Sequence, residues 1–329
     1  MRMNMKSAAM VLAAVFVAAP VHAQTKWRLA GNFATEHSSS VAMNMFRDDL
    51  AKSSSGQLTV DVFPAMQLGG AQENVQNVRA GTLQMIWVGM AFLSRTVPEL
   101  EAISLPFQFE SREQAFRVVD GPVGRILDGK LGEKGLVDLG FMELGGRHVT
   151  NSKRAIKSLE DLKGLKIRMQ PNETHLATFR ALGANPVAMD IKELYSAMQQ
   201  GVVDGQENPF SVINASRYFE VQKFVSNTGH FFDFINVVAN KRAFDALPAA
   251  QQKALRSSMA KAVAWQRARA AAEETESIAE IRKRGMQFDE VTPGFREQMR
   301  KASAGIVDEV KKRVGADVVN RVLAETAKK

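Results

Sequence analysis

Apolar residues in this chain recur with two alternating periods, and the alternation lays out its elements. Trp27–Ala30 alternates over a short stretch, with Trp27 and Leu29 facing one way, and predicts a strand ended by Gly31-Asn32. Ser38–Lys52 then has helical spacing, with Val41, Met45 and the Phe46–Leu50 pair on one face, and Ser53-Ser54-Ser55-Gly56 closes it. Leu58–Phe63 predicts a second strand, stopped by Pro64, and Leu68-Gly69-Gly70 turns into a helix over Ala71–Ala80. Leu83–Val88 is a third, nearly continuous apolar strand. This β-α-β-α-β order with buried strands implies an α/β sheet with parallel neighbours.

The pattern restarts further on. Leu136–Leu144 predicts a strand ending at Gly145-Gly146, and Ser158-Leu159-Glu160-Asp161 has the form of a capping box. Leu165–Met169 predicts a strand and Glu173–Leu182 a helix ended by Gly183. Ile191, Leu194, Tyr195 and Met198 form the stripe of another helix, ended by Gly201, and Phe224–Ser226 and Phe234–Ala239 predict two more strands. We read this as a second α/β lobe rather than an extension of the first sheet. Pro248 through Arg284 has no internal Gly or Pro and stops at Gly285. As one helix it would be about 55 Å long and cross both lobes; two helices with an unmarked break fit the same residues.

Composition and charge alter the picture at the N-terminus. Arg2 and Lys6 precede an apolar run, Ala8–Ala19, and Val21-His22-Ala23 supplies a cleavage-like end, so residues 1–23 read as a secretory signal cut after Ala23. The run is too short for a stable membrane anchor. Without Arg2 and Lys6 the formal charge of +8 falls to +6. With no cysteine in 329 residues, a disulfide framework, a thiolate nucleophile and Cys-based metal sites are excluded. The five histidines include no i, i+4 pair, so no metal site is expected. No G-x-S-x-G, Walker A, G-x-G-x-x-G or H-E-x-x-H motif occurs, which makes a poor enzyme sequence and points to no cofactor. The basic surplus lacks the aromatic interleaving of a single-strand binder, so no nucleic-acid partner is expected.

Two segments place polar chemistry where core residues would be expected. In Leu165–Met169, Ile167 and Met169 alternate with Lys166 and Arg168. An arginine at a strand end can aim at the crevice where open α/β sheets bind ligands, and its fork holds a carboxylate by two parallel hydrogen bonds. Alone, Arg168 fits a surface strand residue better than a ligand-binding one. In Gly201–Pro209, two glycines frame an apolar-then-polar strand whose Asp204, Gln206, Glu207 and Asn208 precede a proline; alone, this fits a polar turn.

Together with their neighbours, these segments resemble the extracytoplasmic solute-binding proteins of tripartite ATP-independent periplasmic (TRAP) transporters, across essentially the whole chain after residue 23. The resemblance is carried by Phe63–Gly69 (FPAMQLG), Leu105-Pro106-Phe107, Ser158–Arg168 (SLEDLKGLKIR), Leu182–Met189 (LGANPVAM) and Tyr195–Pro209, in which Met198 stands for the usual Leu. It implies a two-lobed periplasmic-binding-protein fold with a long helix spanning both lobes, divided as 24–145 plus 235–272 and 146–234 plus 273–329. It further implies an exported, periplasmic monomer that closes on a small organic acid and delivers it to membrane permease subunits, without catalysis. The family's carboxylate-binding arginine falls on Arg168 and a second binding position on Arg147. Asn208 and Asn32 match polar ligand-contacting positions, with Gln206 and Glu207 holding the loop instead.

Departures from the family pattern suggest the ligand. Where sugar-acid binders carry a carboxylate or amide after the third strand, this chain has Trp87-Val88-Gly89-Met90, and His230–Phe234 adds Phe231 and Phe232 near the hinge. His148, following Arg147, can donate to an α-keto or α-hydroxy oxygen. The expectation is a monocarboxylate with an α-oxygen and an apolar or aromatic body lying against Trp87, Phe231 and Phe232. The rival readings are a binding protein for another transporter or a sensor, and a secreted hydrolase with a dispersed site.

Overall fold

The computed structural model describes residues 24–328, so the expected signal segment, 1–23, lies outside the described residues. Among the described residues nine strands form one sheet: β1 Thr25–Gly31, β2 Leu58–Phe63, β3 Met85–Gly89, β4 Leu136–Asn151, β5 Lys166–Met169, β6 Asn185–Ala188, β7 Gly205–Asn208, β8 Phe224–Asn240 and β9 Gln287–Glu290. Their order is β2-β1-β3-β8-β4-β7-β5-β6, with β9 beside β8. β1, β2 and β3 are parallel, as are β5, β6 and β7. The long β4 and β8 pair antiparallel along their whole length and join the two parallel sets.

This corrects the reading of two separate sheets. Gly145-Gly146 does not end β4: the ladder shifts register between Glu143 and Gly145, where Gly145 has φ +106°, and the strand continues to Asn151. A glycine in that conformation bulges and bends a strand rather than stopping it. Likewise Phe224–Ser226 and Phe234–Ala239 are the two ends of the single β8. The lobes are therefore two halves hung on one bent two-stranded ribbon.

Helix Ser38–Ser53 forms where expected but with a different inner face. Ala42, Met43, Phe46 and Leu50 are buried, whereas Val41 and Met45 point outward, because the sheet and the long helix cover the i, i+4 row through Ala42 and Phe46. Ala71–Ala80 forms as predicted. The long helix runs unbroken over Ala249–Lys283, 35 residues, and packs on Ser38–Ser53 in one half, on β4, and on the helix Phe210–Ala215 in the other. It therefore spans both halves. The last helix, Ala316–Thr326, packs on Pro98–Ile103, Arg112–Asp120 and Pro122–Glu133 of the first half. Under the expected division, which puts 273–329 in the second lobe, this last helix with its buried Val319 and Val322 packs on elements of the first. No helix among the described residues is long and apolar enough to cross a membrane.

Candidate functional site

Strand register fixes where a site can form. β3 ends with Gly89 opposite Ile235 of β8, and β7 ends with Asn208 opposite His148 of β4. Between these points the ribbon contributes Glu143–Arg147 paired with Phe231–Phe234. The carboxyl ends of both parallel sets thus point at the same short, bulged stretch, the crevice position of an open α/β sheet. The halves are closed over it. Asn172 donates to Ser94 Oγ at 3.2 Å, and Thr174 Oγ1 donates to Glu101 at 2.7 Å. His37 takes the N–H of Ser39 on Nδ1, which leaves its proton on Nε2 for Ser211 Oγ at 3.3 Å.

Arg147 and Arg168 are both fully buried, and they are used in opposite ways. Arg147 is consumed by the protein. Its Nε and Nη2 grip the Glu207 carboxylate in a fork at 2.5 and 2.7 Å, Nη2 also reaches the Glu207 carbonyl and Asn208 Oδ1, and Nη1 donates to Asp233 at 3.2 Å. Asp233 also accepts from Gln170 Nε2 at 2.9 Å, and His230 Nε2 lies 3.2 Å from Glu207. Burial pushes the Glu207 carboxyl up, but Arg147 and His230 outweigh it and hold it well below the usual carboxylate range. Burial also raises Asp233, against the pull of Arg147.

Among the described residues Arg168 has one hydrogen-bond partner. Its Nε donates to the Met189 carbonyl at 2.9 Å, while Nη1 and Nη2 meet no acceptor there. Burial, joined by the nearby Arg147 charge and opposed by Tyr218, Glu207 and Asp190, drags its pKa down to about 10. A desolvated cation with two parallel free N–H edges is a receptor for a carboxylate, and burying it without one is costly.

The scan against family models matches residues 29–313 to a bacterial extracellular solute-binding protein family, family 7 (DctP). The chain belongs to this family. Among its relatives, a 2,3-diketo-L-gulonate-binding periplasmic protein of Escherichia coli is 36% identical over 247 residues, covering 75% of each chain. A TRAP periplasmic solute-binding protein from Polaromonas, solved with D-erythronate, superposes with a TM-score of 0.88 at 35% identity, covering 93% of this chain and 99% of that one. A sugar-acid-binding protein from Advenella mimigardefordensis, solved with galactonate, superposes with a TM-score of 0.90 at 30% identity, covering 92% of this chain and 98% of that one. The family and these neighbours are substrate-binding proteins of two-lobed form.

Within this solute-binding protein the remaining sequence-selected residues separate clearly. Asn32, after β1, Trp87 within β3, His148 within β4 and Asn208 at the end of β7 are all buried. Asn32 Oδ1, Trp87 Nε1 and His148 Nε2 have no partner among the described residues, whereas Asn208 is engaged by Arg147 and Gln206. His148 stacks on Phe210 with ring centroids 3.9 Å apart, and its Nδ1 accepts the Gly229 N–H. Burial first, and then His230 and nearby arginines, keep it neutral, so its Nε2 carries the proton and donates. Trp87 owes its position to Gly31, where a Cβ would lie 2.1 Å from the indole ring.

The two phenylalanines diverge. Phe231 stacks on His175 at 4.1 Å, while Phe232 joins an edge-to-face cluster with Phe109, Phe116 and Phe234. Three further residues emerge only from the fold. His175, buried with Nδ1 unpartnered and pushed down to about 3 by burial, is close enough to sense the charge of Arg168. Gln170 Oε1 comes within 2.9 Å of where a Cβ on Gly89 would sit. Glu143 sits at the β4 bulge with Oε2 unpartnered. A lone histidine in a helix and a glutamate in an apolar strand carry no spacing signal that would have singled them out.

Proposed function

We propose that this chain captures a small organic monocarboxylate, oxygenated at the carbon next to the carboxyl, and delivers it to the membrane permease of a TRAP transporter. The observation that carries this is the fully buried Arg168 with both terminal nitrogens unpartnered among the described residues. Closing the lobes over that cation without a counter-charge is unfavourable, and a carboxylate forked on Nη1 and Nη2 removes the penalty. The acid therefore binds the closed state preferentially, which is what a ligand must do to drive closure. Arg147, held by Glu207, Asp233 and Asn208, positions the loop that ends β7 rather than supplying the fork.

Trp87, His148, His175 and Asn32 carry polar atoms without a partner among the described residues; the one on Asn32 is an acceptor and suits a hydroxyl close to the carboxyl. Two are fixed donors, the indole N–H and the Nε2–H of His148, which match a keto or hydroxyl oxygen. Gly89 brings no side chain to the end of β3 and the Gln170 amide oxygen takes that space, so support for an apolar body of the ligand comes from the Trp87 and Phe231 rings. Phe232 belongs to the aromatic cluster and has no part in this reading. The protein acts outside the cytoplasm as a monomer and makes or breaks no bond.

A thermal-shift panel of D-erythronate, D-galactonate, pantoate, 2-oxoisovalerate, mandelate and succinate tests this. A 2-oxygenated monocarboxylate at 100 times its Kd should add about 2.7 kcal/mol of stability. Stabilisation by succinate alone, or by none of the acids, would overturn the proposal.

A further inference from the structure

Asp190 joins the two halves of the molecule through hydrogen bonds. It is the N-cap of the helix Ile191–Gln199, accepting the Lys192 N–H at 3.0 Å. The same carboxylate reaches across to the first half and accepts the N–H of Gln72 at 2.9 Å and of Ala71 at 3.4 Å, at the N-terminus of Ala71–Ala80. One carboxylate thus caps two helices that belong to opposite lobes. An anion is favoured at each N-terminus by unpaired N–H groups and by the helix dipole.

Its seat is shaped for it. Gly70, the N-cap of Ala71–Ala80, brings no side chain, and a Cβ there would lie 3.0 Å from three atoms of the Asp190 carboxyl group. Gly70 has φ −67°, a conformation open to any residue, so a side chain here would crowd the Asp190 carboxylate rather than strain the backbone. The residue before Asp190 is Met189, whose carbonyl takes the Nε–H of Arg168.

We propose that Asp190 is the closure latch of this protein, a positioning residue that couples carboxylate capture to lobe closure. This rests on the reading of Arg168 as the carboxylate fork. An acid held on Nη1 and Nη2 orients the guanidinium; its Nε fixes the Met189 carbonyl; and the next residue is thereby set to cap the opposite helix. The latch forms only when the lobes meet. Its loss therefore speeds ligand release and leaves the bimolecular on-rate alone.

Stopped-flow measurement of on- and off-rates tests this in the full chain, using whichever acid of the thermal-shift panel binds the unaltered protein, with two variants that act from opposite sides. Asp190→Ser keeps a good N-cap for its own helix but gives up the charge and the reach. Gly70→Ala leaves Asp190 in place and fills its seat. Both variants should release ligand about tenfold faster, a size in keeping with a charged helix-terminal contact. On-rates should stay within twofold and ligand-free melting temperatures should be unchanged. Wild-type off-rates in both variants, or a change in Asp190→Ser with none in Gly70→Ala, would overturn the latch, the second result assigning the effect to the helix Asp190 caps locally. Loss of binding in Arg168→Met, measured alongside, keeps the two readings apart: if it binds normally, the fork is wrong whatever the latch variants do.

Discussion

Replacing Arg168 with methionine removes the cation while roughly keeping its volume, and the structure predicts two effects of opposite sign. In the complex the arginine gives two charge-assisted hydrogen bonds, each contributing about 1.5–3 kcal/mol, so the Kd of a bound acid should weaken by about 10²- to 10⁴-fold. Without ligand the effect reverses. Burial lowers the Arg168 pKa from 12.5 to about 10, which corresponds to about 3 kcal/mol against closing the lobes over the free cation. The methionine escapes that penalty but leaves the Met189 carbonyl without its partner, at a cost of about 1 kcal/mol. The net gain of about 2 kcal/mol should move the ligand-free open–closed equilibrium roughly 30-fold towards closed. Calorimetric titration reads the first effect, and an interlobe fluorescence-transfer pair reads the second. A Kd within threefold of wild type would refute the fork. A weakened Kd with no rise in the ligand-free closed fraction would refute the argument that a buried unpaired cation holds the lobes apart.

Two further predictions concern the buried charges around the hinge. Glu207→Gln leaves Arg147 buried with half its fork, so unfolding stability at pH 7 should drop by about 3–5 kcal/mol. Because the folded-state pKa of Glu207 is depressed, its contribution is present above the ordinary carboxylate range and lost as pH falls through it. The gap between variant and wild type in thermal melts should therefore persist at pH 5 and narrow below pH 4, and an equal gap at pH 3 would contradict this. Glu143 behaves in the reverse sense: burial, with Glu274 and Glu113 opposing Arg112, raises it from 4.5 to about 7. A raised carboxyl favours the fold while protonated, so its contribution is present below about 4.5 and lost as pH rises to 7. Glu143→Gln should melt with wild type at pH 4.5 and several degrees higher at pH 8, and equal melting temperatures at pH 8 would sink the assignment.

Much of the fold was legible because short elements carry their own periodicity. Ala71–Ala80 lies between a Gly-Gly turn and Gly81, and β2 ends at Pro64, so both could be placed from local residues. What could not be read were features decided by distant segments. Gly145 and Gly229 punctuate the sequence like turns, yet at φ +106° and +54° they bend strands already held by a partner 80 or more residues away. Hence two crossing strands read as separate pieces and one sheet as two.

The site shows the same division. Lys166 and Arg168 share one side of β5, but only Lys166 reaches solvent, because the segments arriving after β6 and β7 cover the strand end. Local pattern could not tell which of two arginines is free. That depends on Glu207 and Asp233 closing on Arg147, from strands that meet only in the folded molecule. Gly205 could be recognised only as a frame for the polar run. In the fold it lets β7 approach β4, since a Cβ there would lie 2.1 Å from the Thr150 carbonyl oxygen.

The central claim is that a carboxylate on Arg168 closes this protein. Its most direct test is calorimetric titration of the wild-type chain with an acid that stabilises it and with the primary amide of that acid, which keeps size and oxygens but lacks the charge. The account predicts tight binding of the acid and an amide weaker by 100-fold or more. Comparable affinity for the two would contradict it.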